Sequence, residues 1–222
     1  MKADFCGKTA VVVGNNSACR ATALALAREG AKVFICGEHP IEPEAAACIQ
    51  AQKIHMAQLR PADDQALLAF IAAAWEQTGA IHILVCDGRV APVYKPLTEV
   101  TPEEWSGAIA STLRMNWKAV TAALPYMEGA ELPAIVLITD PAVYHAGPLD
   151  GVVAVCAAGV ESMTKTLASE LASRHIRINA VAAPEQASEL TGAVLFLASH
   201  GASYCTGTML EAGSTGGWEA ET

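Results

Sequence analysis

The chain has 222 residues, 52% of them apolar, and a formal charge of -9 at pH 7. That length supports one sizeable hydrophobic core and predicts a single domain over 1–222. The acidic balance leaves no basic patch to neutralise phosphates, so neither a nucleic acid nor an anionic membrane surface is an expected partner.

The opening MKADFCGKTAVVVG has no apolar h-region followed by a small-residue cleavage site, and no stretch offers about 18 unbroken apolar residues. A cytoplasmic location is the expectation. The first β-branched run, Thr9-Val13, is followed by Gly14 and an alanine-rich helical segment, Ala18-Glu29. Then come a strand at Lys32-Cys36, a helix at Glu42-Gln50, a strand at Lys53-Met56, a helix at Asp63-Gln77 and a strand at Ile81-Cys86. A long helix is predicted over Pro102-Tyr126, a strand at Ala134-Thr139 and a second long helix over Gly151-Ser173. Arg177-Val181, Ser188-Ala198 and Thr208-Leu210 complete the order as strand, helix and strand. Strands alternating with helices at this spacing make βαβ units, and hence an α/β, doubly wound, mainly parallel seven-stranded sheet with helices on both faces. Residues 213–222, Gly-rich and polar, are expected to form a tail.

Seven cysteines lie far apart without a CxxC, mostly inside apolar runs, and are expected to be reduced core residues. The six histidines show no i, i+4 pairing and no ligand spacing with the cysteines, so no metal site is expected.

The blocks GKTAVVVG, RATALALAREGAKV, PLTEVTPEEW, TKTLASELASRHIRINAVAAP and AVLFLASHGASYCTGTMLEAGS resemble, in this order, the short-chain dehydrogenase/reductases. The resemblance runs from about Phe5 to Gly216 and implies a Rossmann-type domain. In that family a glycine-rich turn after the first strand lets the cofactor pyrophosphate approach the backbone at a helix N-terminus. Here the turn reads Gly14, Asn15, Asn16, Ser17, Ala18, Cys19, followed by Arg20. Side chains stand where the later glycines belong, and the polar Asn15, Asn16 and Ser17 are expected to cap the helix instead. Glu38, after the second strand, is a candidate for a ribose hydroxyl, although a charged loop residue is usually just solvated. The family's adenine-holding acid falls near Leu59 or Arg60, and its NNAG motif has become Cys86-Asp87-Gly88-Arg89.

Counting without gaps, the family's helix asparagine falls on Thr112, its serine on Asp140, its tyrosine on Val153 and its lysine on Ala157. The chemistry implied by the resemblance needs a phenol to move a proton and a lysine to lower that phenol's pKa. Val153 and Ala157 supply neither, and Asp140 places a negative charge where a developing alkoxide needs a donor. Asn116 lies one turn beyond Thr112. Tyr144 with His145 is the one displaced pair, readable as a loop aromatic or as a substitute phenol. After Pro184 the family's mobile lid over the substrate is cut to a few residues.

The resemblance therefore implies a non-catalytic subunit with no cofactor of its own. Its partner would be an active short-chain dehydrogenase paralogue carrying NAD, docked through helices 102–126 and 151–173 in a heterotetramer. A similarly stripped smaller subunit occurs in the two-subunit 2-(α-hydroxybenzyl)succinyl-CoA dehydrogenases of anaerobic toluene degradation, whose oxidation is of the 3-hydroxyacyl-CoA type. The alternative is a cofactor-independent enzyme or a ligand-binding protein on the same fold.

Overall fold

A computed structural model describes residues 5–14, 16–38, 54–60, 63–89, 95–145, 147–184 and 188–213. Its strands are β1 (Thr9–Val13), β2 (Lys32–Gly37), β3 (His55–Gln58), β4 (Ile83–Asp87), β5 (Ala134–Thr139), β6 (Arg177–Ala182) and β7 (Met209–Glu211). They form one seven-stranded sheet in the order β3-β2-β1-β4-β5-β6-β7, and every pairing is parallel. The helices among the described residues are α1 (Ser17–Arg28), α2 (Asp64–Thr78), α3 (Pro102–Ile109), α4 (Met115–Met127), α5 (Ala142–His145), α6 (Gly151–Leu171) and α7 (Ser188–Ala198). The expected helix at Glu42-Gln50 lies outside the described residues, as does the tail from 214 onward.

A parallel sheet must be covered on both faces, which is why β1, β4, β5 and β6 are buried throughout. Alternate side chains sort into two cores. Val11, Val13, Phe34, Cys36, Leu84 and Cys86 point to one, beneath Ile71 of α2, Ala119 of α4 and Val160 and Leu171 of α6. Ala10, Val12, Val33, Ile35, Ile83 and Val85 point to the other, covered by Ala23 and Leu26 of α1 and by Leu190, Val194 and Leu197 of α7. Helix starts follow local chemistry. The Asp63 side chain accepts from the Gln65 and Ala66 amides, and Thr101 and Glu104 form a reciprocal capping box with Pro102 just inside α3. At the far end of α7, the buried Arg177 guanidinium donates to the carbonyls of Leu197 (2.8 Å) and Ala202 (3.0 Å), satisfying groups that a helix terminus leaves open.

Three expectations are corrected. The strand expected at Lys53-Met56 is displaced to His55–Gln58, because the register sets His55 beside Phe34, on which it stacks at 4.6 Å. The helix expected over Pro102-Tyr126 is interrupted by a π-turn at Ala110–Arg114. Along a straight α-helix Trp105 and Trp117 would stand about a third of a turn apart; the wider turn brings them close to one azimuth. Helix α5 was not expected, and it arises where Asp140 Oδ1 accepts from the Ala142 amide at 2.8 Å.

Candidate functional site

In a doubly wound sheet ligands bind in the crevice beyond the carboxyl ends of the strands, at the point where strand order reverses. Here that point lies between β1 and β4. Gly14 leaves β1 with φ of 121°, and a β-carbon there would stand 2.8 Å from Cys19 Sγ and 3.1 Å from the Asp87 carbonyl oxygen. The Cys19 thiol is thus packed against the turn, fully buried. Burial, with Asp87 nearby, holds its pKa well above the ordinary value, so it is an inert apolar filler rather than a nucleophile. Asn16 caps α1: its Oδ1 accepts from the Cys19 amide at 2.9 Å, and its Nδ2 donates to Asp87 Oδ2 at 2.8 Å. A pyrophosphate laid on this turn would meet the Cys19 sulfur and an amide that Asn16 already holds. Ala18 is buried beside Cys19, Ser17 is the first residue of α1, and Asn15 lies outside the described residues.

At the end of β4 a second closure is built from Asp87 and Arg89. The Asp87 side chain is completely buried and that of Arg89 is 10% exposed. Arg89 grips the carboxylate with two prongs, Nε to Oδ1 at 2.9 Å and Nη2 to Oδ2 at 2.6 Å, a geometry that suits a guanidinium. Its Nη1 donates to the Ala183 carbonyl at 2.8 Å, just past β6. Because β5 lies between β4 and β6, the guanidinium crosses over the end of β5. The sequence marked Asp87-Gly88-Arg89 as altered. It gave no hint of the bridge, since the Ala183 partner is 94 positions away.

Thr112, Asp140, Val153 and Ala157 do come together: with Arg89, Thr139 and Cys156 they line one cleft of about 10 Å³, room for at most a single water. Val153 and Ala157 are buried in its wall. The Thr112 hydroxyl finds no oxygen or nitrogen partner and lies against the Cys156 thiol, whose pKa burial raises. Asp140 is engaged in starting α5. Asn116 is fully buried, both of its amide atoms lack hydrogen-bond partners, and its Nδ2 would stand 3.0 Å from a β-carbon on Gly88.

The remaining sequence candidates lie apart from this cleft. Tyr144 is 43% exposed, and its phenol pKa is raised, by desolvation first and then by Glu161 and Glu211. That is opposite to the direction a proton donor of this kind requires. The His145 side chain lies outside what the structure describes. Glu38 faces Arg60 at 3.9 Å on the surface. No cluster of three or more metal-ligating side chains occurs among the described residues. Residues 183–187 are all that separate β6 from α7.

Sheet order, crevice position and two-sided helical cover define a dinucleotide-fold α/β protein. The family model described as enoyl-(acyl carrier protein) reductase matches residues 12–185, and the chain belongs to the short-chain dehydrogenase/reductase family. It is 30% identical over 186 residues to the human mitochondrial dehydrogenase/reductase SDR family member 2, covering 81% of this chain and 65% of that protein. It thus spans just under two thirds of that relative's length. It is 28% identical to the 3-oxoacyl-[acyl-carrier-protein] reductase FabG of Thermotoga maritima, covering 92% of this chain and 95% of that one. Among solved structures, a short chain oxidoreductase of Pseudomonas aeruginosa containing an atypical catalytic center superposes with a TM-score of 0.86 at 22% identity, over 98% of this chain and 100% of that one.

Proposed function

We propose that this chain is a non-catalytic subunit of a hetero-oligomeric, NAD-dependent short-chain dehydrogenase, in which an active homologue binds the nicotinamide cofactor and carries out the oxidation. The observation that carries the reading is the cleft at the family's catalytic position. It is lined by Val153, Ala157, Thr112 and Asp140, which offer neither a mobile phenolic proton nor a lysine. The turn at Gly14, packed by the buried Cys19, supports the cofactor half of the reading. A 3-hydroxyacyl-CoA type of substrate, as in the two-subunit 2-(α-hydroxybenzyl)succinyl-CoA dehydrogenases, is proposed for the partner.

The docking face in this proposal is the pair formed by α3–α4 and α6. Leu113 is seated on Gly159, where a β-carbon would stand 2.8 Å from its Cδ2, so the two helices approach closely. Trp105, Trp117 and Val155 stay 40%, 47% and 37% exposed along them. Two such pairs brought together about a pseudo-twofold axis make a four-helix contact.

Calorimetric titration of the isolated chain with NAD and NADP tests the cofactor half, with no heat of binding expected. Co-expression with homologues from neighbouring genes tests assembly, with a mixed tetramer expected. Tight binding of either dinucleotide, or recovery of the chain only as a self-contained monomer, would overturn the proposal.

A further inference from the structure

The crevice is bridged from side to side by charged and polar side chains. Asn16 at the start of α1 holds Asp87 at the end of β4, Asp87 holds Arg89, and Arg89 holds the Ala183 carbonyl beyond β6. These contacts run across the carboxyl ends of β1, β4, β5 and β6 and span the switch point at which this class of fold binds a dinucleotide. We infer that Asp87 and Arg89 form a built-in strut that takes the place of the bound dinucleotide, tying the two halves of the sheet together from within. This goes beyond a vacant site: the chain carries its own occupant of the crevice and depends on it for stability.

Both ends of the strut support this. A carboxylate with no solvent exposure is tolerated only when paired, and its guanidinium is the group that pairs it. The main-chain N–H of Arg89 also donates to Asp87 Oδ1 at 3.1 Å, fixing the loop from which the side chain reaches. The planar fork is essential, because a lysine ammonium could meet the carboxylate or the Ala183 carbonyl but could not present two parallel donors to the first while reaching the second.

The test compares the full chain with its Arg89→Ala and Arg89→Lys variants by thermal unfolding, alone and with millimolar methylguanidinium, methylammonium or NADH. Arg89→Ala is expected to lower Tm by about 10 °C, with Arg89→Lys in between. Methylguanidinium should restore part of the Arg89→Ala loss, methylammonium should not, and neither should shift the parent chain. A Tm for Arg89→Ala within a degree of the parent would overturn the strut, as would equal rescue by the two cations. If Arg89→Ala does not fold, an unchanged Tm for Arg89→Lys does the same. NADH stabilising the parent chain would remove both the strut and the proposed function, whereas failure of the guanidinium arm alone removes only the strut.

Discussion

The crevice above the strands and the face of α3–α4 with α6 differ in how their polar and apolar groups are met. In the crevice the Cys19 amide is held by the Asn16 side chain, and the Asp87 carboxylate by Asn16 and the Arg89 guanidinium. On the helix pair, where an isolated protein would present charge, two tryptophans and a valine remain exposed, flanked by the exposed Ala158 and Ser162. Under the proposed function, small molecules would be turned away at one region and a protein surface offered at the other.

The helix face provides the harshest test of that contrast. Trp117→Ser with Ala158→Arg removes an aromatic anchor and adds an unpaired charge to the surface proposed to dock. Affinity for the partner subunit is expected to fall at least about 30-fold, the scale of a lost interface hot spot, with Tm of the isolated chain nearly unchanged. Sedimentation of the co-expressed complex and unfolding of the chain alone read the two effects. An intact complex would return these residues to ordinary surface and erase one side of the comparison.

In the crevice the informative residue is Gly14. Its positive φ disfavours any side chain, and the space beside it is held by Cys19 and Asp87. Gly14→Ala should therefore destabilise the ligand-free chain by about 2 kcal/mol, or about 6 °C in Tm. The double variant with Cys19→Gly is expected to lose less than the two single losses combined, since both changes act on one contact. Full additivity would mean that the turn and the thiol are not packed as a unit.

These residues also mark how far the sequence could be read. The positions of Val153 and Ala157 were legible because the surrounding blocks run without gaps, so counting alone locates them, and the structure sets both in one cleft. Capping by Asn16 was legible because a polar residue before an apolar helix has few other roles. The bridge from Arg89 to Ala183 was not: it depends on β5 standing between β4 and β6, a fact of strand order and not of local pattern. Likewise Trp105 and Trp117 share an azimuth only because of the π-turn, and its residues, Ala110–Arg114, carry no composition that distinguishes them from an ordinary helix.

The smallest expected effect lies at the opposite, amino-terminal ends of the strands, and it checks whether internal matching of polar groups is confined to the crevice. Nδ1 of His82 accepts from the Thr9 amide at 3.1 Å, and the ring shares a pocket with Lys8, Glu131 and His200. Desolvation, and then the Lys8 charge, lower its pKa below the ordinary 6.5, while Glu131 opposes them. The unfolded chain therefore binds a proton at a pH where the folded chain refuses it, so stability from this group is complete above 6.5 and is lost as pH falls through the lower folded value. His82→Gln, which keeps an acceptor for the Thr9 amide but does not titrate, should flatten that slope between pH 7 and pH 5, in Tm measured as a function of pH. If the slope persists unchanged in the variant, the acid sensitivity originates in another group.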